Sequence, residues 1–220
     1  MQTISELLAK ELNCRQEYVE NVIALLDEGN TIPFIARYRK EQHGTMDDTT
    51  LRTLETRLQY LRNLAQRREE VKASIAAQEK LTAELEAAID EAATLAEVED
   101  LYRPYKPKRR TRATIAKEKG LEPLADAIFT QKQRMPAPEE LAQAYLDASK
   151  GVETIEDALA GASDILAERI SDDAEIRKGL RALMQRRGTA TSCAAKDEDE
   201  KTAVYRQYFD FSQPISRMQS

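Results

Sequence analysis

Residues 102–119 read Y-R-P-Y-K-P-K-R-R-T-R-A-T-I-A-K-E-K, and eight of them are Lys or Arg against the single acid Glu118. The whole chain carries a formal net charge of -6. A chain that needed only solubility would intersperse its charges, so this local reversal of sign is the footprint of a polyanion site, nucleic acid being the commonest kind. Arg103, Lys106, Lys108, Arg109, Arg110 and Arg112 are the candidate phosphate ligands. Tyr102 and Tyr105 are candidates to stack on unpaired bases. Phosphate neutralisation reads no sequence, so little base preference is expected. The competing reading is a scaffold, in which Arg103 and Lys106 pair with carboxylates such as Glu97, Glu99 or Asp100 and the prolines stiffen a connector of fixed path.

A second basic stretch, I-P-F-I-A-R-Y-R-K-E, occupies Ile32–Glu41. Ile32 and Ile35, with Tyr38 as a third candidate, are expected to face inward, and Arg37, Arg39 and Lys40 to project outward. A short basic helix after an amphipathic helix and a tight turn reads as helix-turn-helix-like. The alternative is an ordinary helical hairpin with solvated cations.

Other chemistries find little support. Zinc sites draw on Cys and His clustered at short spacing, whereas this chain has one His and two distant cysteines, Cys14 and Cys193. The thiols read as reduced and cytosolic rather than as a disulfide framework. His43, between Gln42 and Gly44, is expected in an exposed loop. Asp47 and Asp48 precede a helical pattern and are better explained as caps than as a catalytic pair. There is no glycine-rich phosphate loop. No cofactor and no enzymatic activity are expected. An apolar run long enough to span a bilayer and a secretory leader are both lacking, so the expectation is a cytoplasmic protein with no membrane partner.

The elements that must position these residues are helical throughout. Leu, Ala, Glu, Arg and Gln dominate while Trp is absent, a composition that favours helix over sheet. Thr3 with Glu6 and Thr94 with Glu97 have capping-box spacing, and Asn13 is a candidate cap for the helix that Gly29 ends. Leu51, Leu54, Leu58, Leu61, Leu64, Val71 and Ile75 form one apolar stripe on a long helix, broken as a heptad near Arg68. Pro104 and Pro107 forbid regular helix between Pro104 and Arg112, and Gly161 is a candidate interruption of a later helix. Only Thr189–Cys193 hints at a strand. The expected fold is all-α: a multi-helix array with a long central helix and a helix-turn-helix-like N-terminal part. It divides into a helical part at 1–75, a helical region at 76–195 carrying the basic arm, and a charged and aromatic tail at 196–220.

The stretches L-Y-R-P-Y-K-P-K-R-R-T-R-A-T-I-A-K-E-K-G-L-E-P-L and T-I-P-F-I-A-R-Y-R-K-E, with the closing Y-F-D-F-S-Q-P-I-S-R, closely resemble the N-terminal region of the bacterial Tex family. These are transcription accessory proteins that bind RNA. The resemblance implies that the chain is a fragment whose tail leads to absent downstream domains: an RNase-H-like domain, helix-hairpin-helix elements and an OB-type RNA-binding domain. It implies a helical module with a helix-turn-helix-like part that lacks the family's strongest RNA-binding element, so the expected contact with nucleic acid, RNA or DNA, rests on the basic arm as read from the residues. The alternative is a docking module that packs on other domains or on the transcription machinery, with RNA binding carried by the absent C-terminal part. It implies no catalysis for this region.

Overall fold

The computed structural model describes residues 3–44, 46–107, 109–132, 135–194 and 203–218. Among these are twelve α-helices and one two-stranded antiparallel sheet, so the all-α expectation holds with a small β addition. The chain divides into two compact units, Met1–Val98 and Glu99–Ser220.

In the first unit, α1 (Ile4–Glu11) opens with the expected reciprocal box, the Glu6 amide donating to the Thr3 side chain and the Thr3 amide donating to Glu6. The helix α2 (Gln16–Asp27) is followed by Gly29 at a φ of 87°, a left-handed turn that leads into α3 (Ile32–Tyr38) and α4 (Lys40–His43). Asn13 does not cap α2. It sits in the left-handed region at φ 51°, and Arg15 is the N-cap residue, without a side-chain bond.

The long helix α5 (Asp48–Ala76) starts at Asp47, whose carboxylate accepts from the Thr50 amide at 2.7 Å, and its seven-residue apolar stripe is buried. Against it pack Leu8, Val19, Val22, Leu25, Ile32 and Ile35. The heptad break has a structural use: Arg68 donates to the carbonyl of Ala92 at 2.8 Å, satisfying the C-terminal end of α6 (Ala83–Glu91).

His43 corrects the sequence reading. It is the last residue of α4 and only 4% exposed, with neither ring nitrogen hydrogen-bonded. The chain turns at Gly44, at φ 64°, where a Cβ would lie 2.6 Å from the Tyr18 ring. The turn lies against the Tyr18 ring of α2, and His43 beside it is buried.

Val98 closes the first unit and Glu99 opens the second, within α7 (Leu95–Tyr102). The second unit holds α8 (Arg112–Glu118), α9 (Glu122–Thr130), α10 (Pro138–Ala142), α11 (Ile155–Asp172) and α12 (Ala174–Arg187). Its core is rich in small side chains: Ala113, Ala116, Ala125, Ala142, Ala158 and Ala162 pack with Leu121, Leu124 and Ile165. Small residues let helices approach closely, and Gly161 belongs to that design. It lies inside an unbroken α11, where a Cβ would fall 2.3 Å from Leu121 Cδ1. The anticipated strand β1 (Thr189–Cys193) pairs with β2 (Asp210–Pro214) in antiparallel register, Thr191 opposite Ser212.

Candidate nucleic-acid interface

The basic arm is built by termini and prolines. Thr94 and Glu97 cap α7 reciprocally, each side chain accepting from the other's amide at 3.2 Å. After Tyr102 the chain tightens into a 3-10 turn, Arg103–Tyr105, closed by the Lys106 amide on the Tyr102 carbonyl at 3.0 Å. Pro104 and Pro107 supply no amide donors, so regular helix cannot continue, and residues 109–111 run without helix until Thr111 caps α8.

The arm runs beside α11, which presents Asp164, Glu168 and Asp172 at intervals of one turn. Each is engaged. Arg103 Nε donates to Asp172 at 2.8 Å, the Thr111 hydroxyl donates to Glu168 at 3.0 Å, and Arg112 lies 3.5 Å from Asp164. Arg110 pairs instead with Glu118 at 2.6 Å. The expected partner of Arg103 is thus replaced by Asp172, 69 residues downstream, and Asp100 is taken by other cations. Asp100 is 4% exposed and accepts from Arg177 Nε at 2.5 Å and from Arg181. Burial pushes its carboxyl up, but the bonds from Arg181 and Arg177 outweigh this and hold it below the ordinary Asp value.

Between arm and helix lies a groove of about 510 Å³, with Arg103, Lys106, Arg109 and Arg112 on one wall and Asp164, Glu168 and Asp172 on the other. A phosphate entering it would meet three carboxylates, so the groove itself is no anion site. The outer rim differs. Lys106 and Arg109 are exposed and have no ion pair among the described residues, and the Arg112 side chain is 87% exposed despite its neighbour Asp164. Tyr102 is buried, at 8%, and Tyr105 is half-buried, so in this conformation neither offers an open ring face of the kind stacking requires. Lys108 lies outside the described residues.

In the first unit, α3 buries Ile32 and Ile35 and turns Arg37 and Tyr38 outward. Tyr38, expected as an inward residue, is 56% exposed. The rings of Phe34 and Tyr38 pack at 5.2 Å, the Arg39 guanidinium lies 5.3 Å from the Phe34 ring centre, and Lys40, which follows in sequence, is exposed. Phe34 escaped the sequence reading. Its spacing of four from Tyr38 is the signal that both rings share one outer face. Among the described residues no group of three or more His, Cys, Asp or Glu could hold a metal ion, and no helix is long and apolar enough to cross a membrane.

The arm and the α3 patch carry two of the three stretches on which the family resemblance rests, and comparison with known proteins supports the family through the regions on either side of the arm. Residues 2–76 match the Tex-like protein N-terminal domain, and residues 133–220 match the Tex central region-like domain. The chain is 49% identical to the uncharacterized protein YdcI of Bacillus subtilis over 98% of its own length and 30% of the relative's. It is 41% identical to the transcriptional accessory protein Tex of Neisseria gonorrhoeae over 99% of its own length and 28% of the relative's. Similarity at 31% identity reaches the human S1 RNA-binding domain-containing protein 1, over 83% of the chain and 18% of that protein. The chain thus spans less than a third of the length of these relatives. Two family domains in their expected order, on a helical fold in which the diagnostic stretches form one arm and one helix, place this chain in the Tex family.

Proposed function

We propose that the chain is the N-terminal helical module of a transcription accessory protein and that it contacts nucleic acid, RNA in the first place, without base preference. The observation that carries this reading is the outer rim of the arm: Lys106, Arg109 and Arg112 project to solvent within seven residues. Cations in such an array attract phosphate and read no base edge. The names of the Neisseria and human relatives, one a transcriptional accessory protein and the other containing an S1 RNA-binding domain, support the choice of nucleic acid and of RNA. Arg37, Arg39 and Lys40 around the exposed rings of Phe34 and Tyr38 supply a second contact of the same kind. In this reading Arg103 and Tyr102 hold the arm in place, and the rim does the binding.

The second reading is a docking or scaffold module. It is favoured by the row Asp164, Glu168 and Asp172, which neutralises the inner side of the arm.

A fluorescence-anisotropy titration with a labelled single-stranded RNA of about 20 nucleotides, repeated across salt, separates them. Three cations on single-stranded phosphates give a log–log salt slope of roughly -2. The pair Lys106→Glu and Arg109→Glu should weaken binding and flatten that slope. Unchanged affinity and slope in the double variant transfers the arm to the scaffold reading.

A further inference from the structure

The helix α12 has no buried residue. Ile176, Leu180, Leu183 and Met184 recur at helical spacing on one face and are 41%, 55%, 40% and 54% exposed. Beside this face the 3-10 turn Ile215–Arg217 contributes Ile215, and the two enclose a groove of about 350 Å³ floored by Leu180, Met184 and Ile215 and edged by Arg177, Arg181 and Gln185. The helix bears Arg177, Lys178, Arg181, Arg186 and Arg187 against the single acid Glu175. Asp100 already meets the charges of Arg177 and Arg181, while Arg186 and Arg187 at the end of the helix are exposed and are the cations a partner would meet.

These features define the cover. Its centre must be apolar, and its flanks must be acidic to meet the cations. A second copy of the chain would bring the same cations to the same face, which opposes self-pairing. The groove is concave and takes inserted side chains, which a flat lipid surface does not supply. The Bacillus subtilis relative matches 98% of this chain with 30% of its own length, so more than two-thirds of that polypeptide lies outside the match and is available as a tethered partner.

We infer that the groove between α12 and Ile215 receives an apolar-faced, acid-flanked helix supplied by the polypeptide that the relatives carry outside the matched region. The helix binds as an amphipathic ligand in a preformed groove, its apolar side chains on Leu180 and Met184 and its carboxylates toward Arg186 and Arg187.

Hydrogen exchange provides the test. The chain alone is compared with a chimera in which it replaces the matched region of the intact Bacillus subtilis relative. The α12 amides should exchange at least tenfold more slowly in the chimera, and Leu180→Asp with Met184→Asp should remove that protection. Both side chains are more than half exposed, so the circular dichroism of the isolated chain should not change. Equal exchange in both contexts, or protection that survives the double variant, overturns the inference. Should the chimera not fold, two synthetic helical peptides with the same leucine face decide the matter. The glutamate-flanked one should bind the isolated chain at least tenfold more tightly than the lysine-flanked one, and equal binding overturns the inference. Variant-sensitive self-association of the isolated chain, or variant-sensitive binding to phosphatidylserine vesicles, also overturns it.

Discussion

Arg103 Nε donates to the Asp172 carboxylate at 2.8 Å across 69 residues of chain. The contact joins the first residue after α7 to the last turn of α11, and it orients the arm that follows. Arg103 is spent on α11, whereas among the described residues Lys106 and Arg109 are exposed without an ion pair and the Arg112 side chain stays 87% exposed beside Asp164. A uniform basic strip in the sequence becomes a two-sided object in the fold.

That division separates stability from binding. Arg103→Ala should lower stability by about 1 kcal/mol, a modest cost because the Arg103 side chain is 46% exposed and water screens the pair. Arg109→Ala should leave the thermal midpoint within experimental error while weakening RNA binding. Thermal melts and anisotropy on both variants check the split, and equal effects on both readouts would remove it.

Asp100 is a buried carboxylate held by two arginines. Asp100→Asn should destabilise by about 1–3 kcal/mol, since Arg177 and Arg181 keep partial access to water when the charge is lost. The pH dependence follows from the lowered folded value. The contribution of Asp100 is complete above the ordinary Asp range and disappears as pH falls through about 4 toward the lower folded value. Wild type should therefore lose stability on acidification more steeply than Asp100→Asn, as measured by urea unfolding between neutral pH and pH 3.

Gly161→Ala tests close packing against helix propensity. Alanine favours a helix interior by about 1 kcal/mol over glycine. Here the new Cβ would overlap Leu121 Cδ1 at 2.3 Å and crowd Ala116 at 3.3 Å, and Leu121 is only 1% exposed. Overpacking of this kind costs about 1–3 kcal/mol. The expected outcome is net loss of stability. A more stable variant would show that α8 and α11 can move apart freely.

His43→Leu tests a buried polar ring. With neither nitrogen bonded, His43 gains nothing from its polarity, and an apolar side chain of similar volume should be neutral or stabilising by up to about 1 kcal/mol. A clear destabilisation in chemical denaturation would reveal a hydrogen-bond partner for the ring.

Much of the architecture was legible because it rests on local rules. The boxes at Thr3 and Thr94, the Asp47 cap and the α5 stripe depend on residues three or four apart, and all form as their spacing requires. Tyr38 and His43 were misplaced for a common reason. Each lies in a short helix next to a turn, where the neighbouring α2 and α5 decide which face is covered. The second strand was obscured by the aromatic residues around it, since Asp210–Pro214 becomes a strand only by pairing with β1.

The sequence by itself determined the helical class, the family and the position of the cationic arm, because composition, periodicity and motif are properties of neighbours along the chain. Only the tertiary structure decided which of those cations remain available. The row Asp164, Glu168 and Asp172 is half a hundred residues or more from the arm, and nothing local announces that it will lie against it. Charge pairing at such separation is set by how α8 packs on α11, through contacts between Ala113, Ala116 and Ala162 that carry no charge at all.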